Sequence, residues 1–598
     1  MADAVDVAGR AEARLGVARL AVGVAQGVVF LGLHHAQEGK TWPATDGPAF
    51  AAIAMAAFFT PLVIIVGLGH MRRATLLAWT LGVAGLAAGL GAYAVANSVR
   101  QYENSDPALV PDFPVWAAMA AFVFIGHRLI APADARRRWL APYPDYFDVG
   151  WLGAAQLALA LVFTMVFWFL LKLGAALFNL IGLHGFETAI TTDWFYFPAT
   201  TFAFAAGLHL ADVRVGLTRG VRTIGLFLLS WLLPLMSLIA VGFLAALPIT
   251  GLAPLWASKM ATAVLLWSLA ALIILANATY RDGEGERVAP AFRWIVRVTA
   301  IALVPLAVVA AVGLWLRVHQ HGLTPERIVA GACVLVALVY AVGYAAAAVL
   351  PGRWMRRLET TNVAAAFLIL GLIVALFSPI ADPRPIAVAD QVSRLTRGVV
   401  APGDFDFVFL RYRAGRAGLA ALETLATQRG GPNAVVIAQD AARALESKNA
   451  YEAALTGTAR FEPFPRGASL PEGLLAALQR DPTYYACRQA PCEVYRIALA
   501  GAGNAQYLVS MGFVVRVYSQ AGGVWSMVGQ VNGPICPAAR QALRAGQAVS
   551  APTAPSWKDV VAGGQRLVVI PLLEFHGCPT TASGAPGPSP MSPDPSPR

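Results

Sequence analysis

The sequence predicts an α-helical polytopic membrane bundle of about eleven transmembrane helices, followed by a C-terminal soluble α+β domain containing a β-meander. Three observations predict it. The 598 residues are 57% hydrophobic and only 13% charged, with a mean hydropathy of +0.60, whereas soluble domains carry roughly 25% charged residues. Apolar runs of about 20 residues, the length a helix needs to cross a hydrocarbon layer, recur as far as about residue 380. Beyond that point charged residues return and the apolar runs shorten. The domains expected are therefore a transmembrane helical domain over 1–380, an extracytoplasmic α+β domain over 381–580 and a disordered Pro/Ser-rich tail over 581–598.

The spans are expected at 15–35, 48–70, 74–96, 112–131, 150–173, 195–213, 223–247, 258–279, 294–317, 327–350 and 360–380. Helices are the only choice for such runs, because backbone groups in lipid must pair within their own segment. The first span is irregular in holding Arg14 and Arg19, and the sixth in ending on His209 and Asp212. Residues 174–186 place Leu177, Leu180, Ile181 and His184 at helical spacing over a length too short to span, which predicts an interfacial helix. The run from Asp193 to Pro198 then reads as an aromatic anchor at headgroup level, in preference to a re-entrant gating element.

Arginine placement sets the orientation. One set of alternate loops and span ends holds 19 Lys and Arg residues, among them Arg72, Arg73, Arg136, Arg137, Arg138, Arg214, Arg219 and Arg222. The other set holds six: Lys40, Arg100, Lys172, Lys259, Arg317 and Arg327. Basic residues accumulate on the cytoplasmic side, so the N-terminus is expected inside and, after an odd number of spans, the C-terminal domain outside. For a bacterial inner membrane that is the periplasm. The net charge of +11 is thereby spread over many loops, which argues for a lipid bilayer as partner and against nucleic acid. Arginines run into the first apolar stretch and no small-residue cleavage site follows, so that stretch reads as an uncleaved anchor.

In the C-terminal region, 386–398, 415–429, 433–456 and 470–480 read as helices. From 493 the pattern changes to period two, with strands expected at 494–499, 507–511, 514–518 and 525–531 and a further one at 566–573. Asp404-Phe405-Asp406-Phe407 reads as a short extended piece burying two phenylalanines rather than as a carboxylate pair for calcium.

The strings WFYFPATTFAFAAGLHL (194–210), LPITGLAPLWAS (247–258), GLTPERI (322–328), DPRPIAVADQVSRL (382–395) and DFDFVFLRYRAGRAGLAALETLA (404–426) resemble a bacterial polytopic membrane family catalogued as domain of unknown function 4153. The resemblance covers roughly 150–430 and implies a multi-span membrane protein with an appended soluble region. It carries no catalytic or ligand-binding residues onto this chain.

The sequence contains no phosphate-cradling P-loop, zinc-protease helix motif or nucleophile elbow, so a non-catalytic role is favoured and neither catalytic residues nor a cofactor are assigned. A metal site would draw on the histidines near span ends, with Asp212 as an oxygen ligand and His319-x-His321 as the foremost pair. His34 and His35 map to the opposite side from His70 and His209, which argues against one common cluster, and no metal ligand is assigned. No Asp or Glu falls mid-span; Arg128, Arg297 and Lys172 lie near enough to an interface to snorkel, and Gln26, Gln156 and Asn277 are left as possible cavity-lining groups. Asp212 is accordingly expected to be dispensable. Gly85-x-x-x-Gly89 predicts a close helix–helix approach within the chain.

Five cysteines divide by region. Cys333 is expected to pack as a small apolar group in the tenth span. Cys487, Cys492, Cys536 and Cys578 fall in the exported domain, where an even number suggests two disulfides. Of the three pairings, Cys487 with Cys492 and Cys536 with Cys578 is favoured, over a zinc site. The function expected is an outward-facing sensing or binding domain anchored by the bundle; the alternative is a transporter or lipid-handling protein with a pathway through it.

Overall fold

The computed structural model describes residues 2–99, 108–258, 260–281, 288–351, 354–431, 433–447, 449, 460–471, 473–479, 481, 487, 491–497, 506–511, 514–531, 535–547, 560–562 and 565–567. They form two compact units, Met1–Ala441 and Ala442–Arg598. Apolar spans end near residue 380 as the composition indicates, but the chain stays packed on the helical unit for some sixty residues more.

The first unit contains α1 (Ala2–Glu38), α2 (Gly47–Gly67), α3 (Arg73–Ala96), α4 (Phe113–Arg136), α5 (Tyr143–Leu180), α6 (Gly185–Thr191), α7 (Asp193–Val213), α8 (Val215–Thr250), α9 (Ala253–Ala257), α10 (Ala261–Tyr280), α11 (Pro290–His321), α12 (Pro325–Val349), α13 (Arg356–Leu376), α14 (Pro383–Thr396), α15 (Gly415–Ala426) and α16 (Ala434–Glu446). Ten of them, among the described residues, are long and apolar enough to cross a membrane. The other helix at an expected span is α7, whose 21 residues include Asp193, His209 and Asp212. Phe169, Trp231, Trp267 and Trp315 stand exposed on the helix surfaces, an apolar exterior that suits lipid and not water.

Among the buried clusters that hold the helices together, two are the largest. Met55, Phe59 and Val63 of α2 interlock with Val83, Ala87 and Leu90 of α3 and with Met119 of α4. Leu233 of α8, Leu269 and Leu272 of α10, Leu303 of α11 and Tyr344 of α12 centre the larger one. Expectation and structure differ in three places here. Residues 174–180 continue α5 without a break instead of forming a separate interfacial helix, because nothing interrupts the helical run until Gly182 at φ +80. Gly82, Gly85 and Gly89 face open space, and it is Gly91 that lets α3 approach α2, with the Ala51 carbonyl 2.8 Å from where its Cβ would lie. Cys333 is exposed on α12 rather than packed inside.

Proline inside a helix leaves a carbonyl one turn back without its donor. At Pro61 that carbonyl belongs to Ala57, and Gln26 of α1 supplies the donor: its Nε2 reaches the Ala57 oxygen at 3.1 Å and the Phe58 oxygen at 3.0 Å. Gln26 is thus committed to mending α2.

After α13 the chain turns back along the bundle end that carries few basic residues. Tyr93 donates to Asp382 at 2.8 Å, Arg384 pairs with Asp112, and Asp390 accepts the Leu323 amide at 2.7 Å. Gln391 donates to the carbonyls of His321 and Leu323. Gly322, at φ +74, makes this docking possible: a Cβ there would lie 2.6 Å from Gln391 Nε2 and 2.7 Å from Asp390 Oδ2. Phe405 and Phe407 are both buried, ring against ring, as their alternation with aspartates suggests.

The second unit is built on a five-stranded sheet in the order β1 (Phe461–Phe464), β2 (Cys492–Ile497), β3 (Gln506–Met511), β4 (Val514–Ala521), β5 (Val524–Val531). Strands β2 to β5 are the antiparallel meander; β1 joins it in parallel. A separate two-stranded pair, β6 (Val560–Ala562) and β7 (Gln565–Leu567), follows. Successive residues Val494 and Tyr495 enter different cores on the two faces, one with Leu474 and Leu478 of α17 (Leu474–Gln479), the other near Leu543 of α18 (Pro537–Arg544). Glu493 on β2 is buried and binds Tyr495, Arg540 and Arg544. Burial opposes its ionisation, but the hydrogen bonds from Tyr495 and Arg544 and the charges of Arg540 and Arg544 prevail and hold the carboxyl below its ordinary range.

Two outcomes are expected. Gln26→Leu lowers the thermal stability of detergent-solubilised protein by about 1–2 kcal/mol, and the same change made in a Pro61→Ala background, where the helix supplies its own donor, costs markedly less. Glu493→Gln is destabilising at pH 7, and because a depressed carboxyl contributes its stability above the unfolded value, the gap to wild type closes as pH falls below about 4. Melting curves of both proteins across that range check the second.

Candidate functional site

Gly16, Arg19, Gly23 and Gly27 recur on α1 at intervals of three and four, which puts them on one helical face. Against that face α7 lies antiparallel. A Cβ at Gly16 would meet the His209 ring at 2.7 Å, one at Gly23 would meet Ala205 at 2.6 Å, and one at Gly27 would meet Pro198 at 2.4 Å. The glycines bring the two helices close, and Arg19, in the middle of the stripe, is carried with them to Asp212.

Arg19 is 3% exposed. Its Nη1 donates to Asp212 Oδ2 at 2.6 Å and its Nη2 to the Leu68 carbonyl at 2.6 Å. Asp212 also binds His70 Nε2, at 2.9 and 3.0 Å, and accepts from Gln156 Nε2 at 3.1 Å. One carboxylate thus joins α1, the turn after α2, α5 and α7. Asp212, expected to be dispensable, and Gln156, expected to line a cavity, are both members of this cluster. It lies at the arginine-rich end of the helices, as the absence of mid-span acids requires.

A cavity of about 210 Å³ adjoins the cluster, bounded by Arg19, His70, His127, Arg128, Gln156 and Asp212 together with apolar residues of α2, α4, α5 and α7. Arg128 does not snorkel along α4 as expected. Its guanidinium occupies the space left by Gly153 of α5, where a Cβ would come within 2.0 Å of it.

Two other buried polar clusters of the bundle are closed on themselves. Asp134 accepts the Arg72 amide at 2.8 Å, Arg72 Nε at 2.7 Å and Thr75 Oγ1 at 2.5 Å, which holds the start of α3. Asn277 is joined to Asn362 at 2.8 Å, and Asn362 to the hydroxyls of Tyr143 and Tyr344, a network between α5, α10, α12 and α13.

At the opposite end, His34 Nε2 lies 3.3 Å from Asp193 Oδ2 and 3.5 Å from Glu38 Oε1, and the three ligand atoms are mutually within 4.8 Å. The separation of His34 and His35 from His70 and His209 follows the expected topology, although Glu38 and Asp193 were missed as neighbours. The His319 ring lies tilted against Trp315 of its own helix, and the His321 backbone serves α14. In the second unit a disulfide joins Cys487 and Cys492, Cα atoms 4.9 Å apart, both buried at the mouth of β2. Cys536 is disulfide-bonded as well, and Cys578 lies outside the described residues.

No family model, curated protein or solved structure matches the chain.

Removing the Asp212 charge leaves Arg19 buried without its counter-ion. Asp212→Asn is expected to destabilise the folded bundle by about 3–5 kcal/mol, the usual cost of breaking a buried pair on one side, whereas Arg19→Met with Asp212→Leu costs less than the single change. Thermal unfolding of the three proteins in detergent checks this; equal stability of Asp212→Asn and wild type would restore the dispensable reading.

Proposed function

We propose that the chain is an eleven-span protein of the bacterial inner membrane, N-terminus cytoplasmic, whose bundle anchors an outward-facing sensing or binding domain in the periplasm. Many long apolar helices make a membrane setting the natural one. The eleventh span is α7: a helix that runs antiparallel along α1 through its glycine face crosses wherever α1 crosses, in the opposite direction. Eleven spans and the arginine asymmetry then agree on orientation. The resemblance of 382–426 and the other strings to the uncharacterised polytopic family fits this layout.

The observation that carries the reading is the docking of α14. Through Asp382, Arg384, Asp390 and Gln391 it is tied to α3, to the residue before α4 and to the loop between α11 and α12. The segment leading to the C-terminal unit is therefore fastened to several helix ends at once, so a load on it reaches the bundle directly. The second reading, a transporter or lipid-handling protein, is favoured by the cavity beside Asp212.

A periplasm-active phosphatase fused after Arg397 should be active and one fused after Arg357 inactive. The reverse pattern would overturn the orientation, and activity at both sites would remove α13 as a span.

A further inference from the structure

The cavity beside Asp212 holds two guanidinium groups and one carboxylate. The carboxylate is taken: Arg19, His70 and Gln156 occupy its oxygens. Arg128 feels Asp212 through space, yet among the described residues it makes no ion pair and no hydrogen bond, and its Nε is buried without a partner. The Phe124 ring centre lies 5.6 Å from its guanidinium carbon. His127, next to it in the chain, is 5% exposed, and its Nδ1 is likewise buried and unpartnered.

An arginine in this position is not there by default. Arg128 sits about two turns inside the end of α4, where a lone cation is costly in lipid. Gly153 keeps room for it against α5, so the fold provides a berth for a charge that, among the described residues, no carboxylate contacts. A guanidinium fork with a neighbouring imidazole matches an oxyanion with several acceptor oxygens. The volume, about 210 Å³, equals roughly seven waters at ~30 Å³ each, enough for a phosphate group and a few attached carbons. Ile65, Val66, Leu152 and Leu208 give the rest of the wall an apolar character suited to those carbons.

We propose that this cavity binds a phosphate group, with Arg128 as its principal cation and His127 as a second hydrogen-bonding partner. The phosphate is either the headgroup of an anionic lipid or free inorganic phosphate. The proposal deepens the lipid-handling reading but does not depend on the orientation of the chain, so a failed topology test leaves it standing.

Full-length protein, delipidated in a neutral detergent, is titrated separately with short-chain phosphatidylglycerol and with inorganic phosphate, with binding read by thermal shift and by native mass spectrometry. Wild type is expected to bind at least one probe; Arg128→Gln weakens that binding by about tenfold or more, Arg128→Lys by only a few-fold, and Gly153→Ala, which fills the berth, by an amount near that of Arg128→Gln. Binding of phosphatidylglycerol alone identifies the lipid headgroup as the source, and binding of inorganic phosphate as well identifies the free anion. The proposal is overturned if wild type binds neither probe, or if Arg128→Gln binds as tightly as wild type. Should Arg128→Gln not fold, Gly153→Ala decides: unchanged affinity there overturns it equally.

Discussion

A polar atom inside the hydrocarbon layer has no water to turn to, and nearly every unusual residue of the bundle is placed by that constraint. Pro61 breaks a helical hydrogen bond, and a glutamine on the neighbouring helix replaces the missing donor. Asp134 is deeply buried because it supplies acceptors that the start of α3 lacks. Asn277 and Asn362 satisfy each other and two tyrosine hydroxyls. Each solution links separate helices, consecutive ones at Gln26 and Asp134 and distant ones at Asn277 and Asn362, so satisfying polar groups also fixes which helices are neighbours.

Against that background the contrast between the two arginines of the cavity is informative. Arg19 and Arg128 are both brought in beside a glycine surface, but only Arg19 has a carboxylate in contact with it. Among the described residues Arg128 has no contacting carboxylate while Arg19 has one, and this makes the arginine-rich end of α1, α4, α5 and α7 the place where chemistry from outside the chain fits.

What the sequence disclosed follows from the range of the interactions. Spans were legible because lipid imposes about 20 apolar residues on each, and the strands of the meander because one face repeats every second residue. Cys487 and Cys492 were legible since a short loop brings their backbones together. The partnership of Arg19 with Asp212 spans 193 positions and leaves no local pattern; its only trace is the row Gly16, Gly23, Gly27 with an arginine in register. Gly85 and Gly89 show the converse, a small-residue spacing that permits close approach without naming a partner. Strand β1 escaped because four residues containing Pro463 carry too little periodicity. The 174–180 stretch was misread as a separate piece because it exceeds the length of a span, although nothing in it stops a helix.

That excess length has a physical meaning of its own. With 38 residues α5 is roughly 57 Å long, nearly twice the ~30 Å of a hydrocarbon core. One end is pinned where Asp145 pairs with Arg136, so the surplus accumulates at the other. There Leu177, Leu180 and Ile181 are exposed and apolar. A rod with a greasy overhang has no single correct immersion depth: thickening the bilayer submerges more of it at little cost, and thinning strips that surface of lipid and favours tilt. In a membrane, a helix of this length would tilt as the thickness changes, and α7, pressed against it where Gly207 meets Ala160, would share that angle.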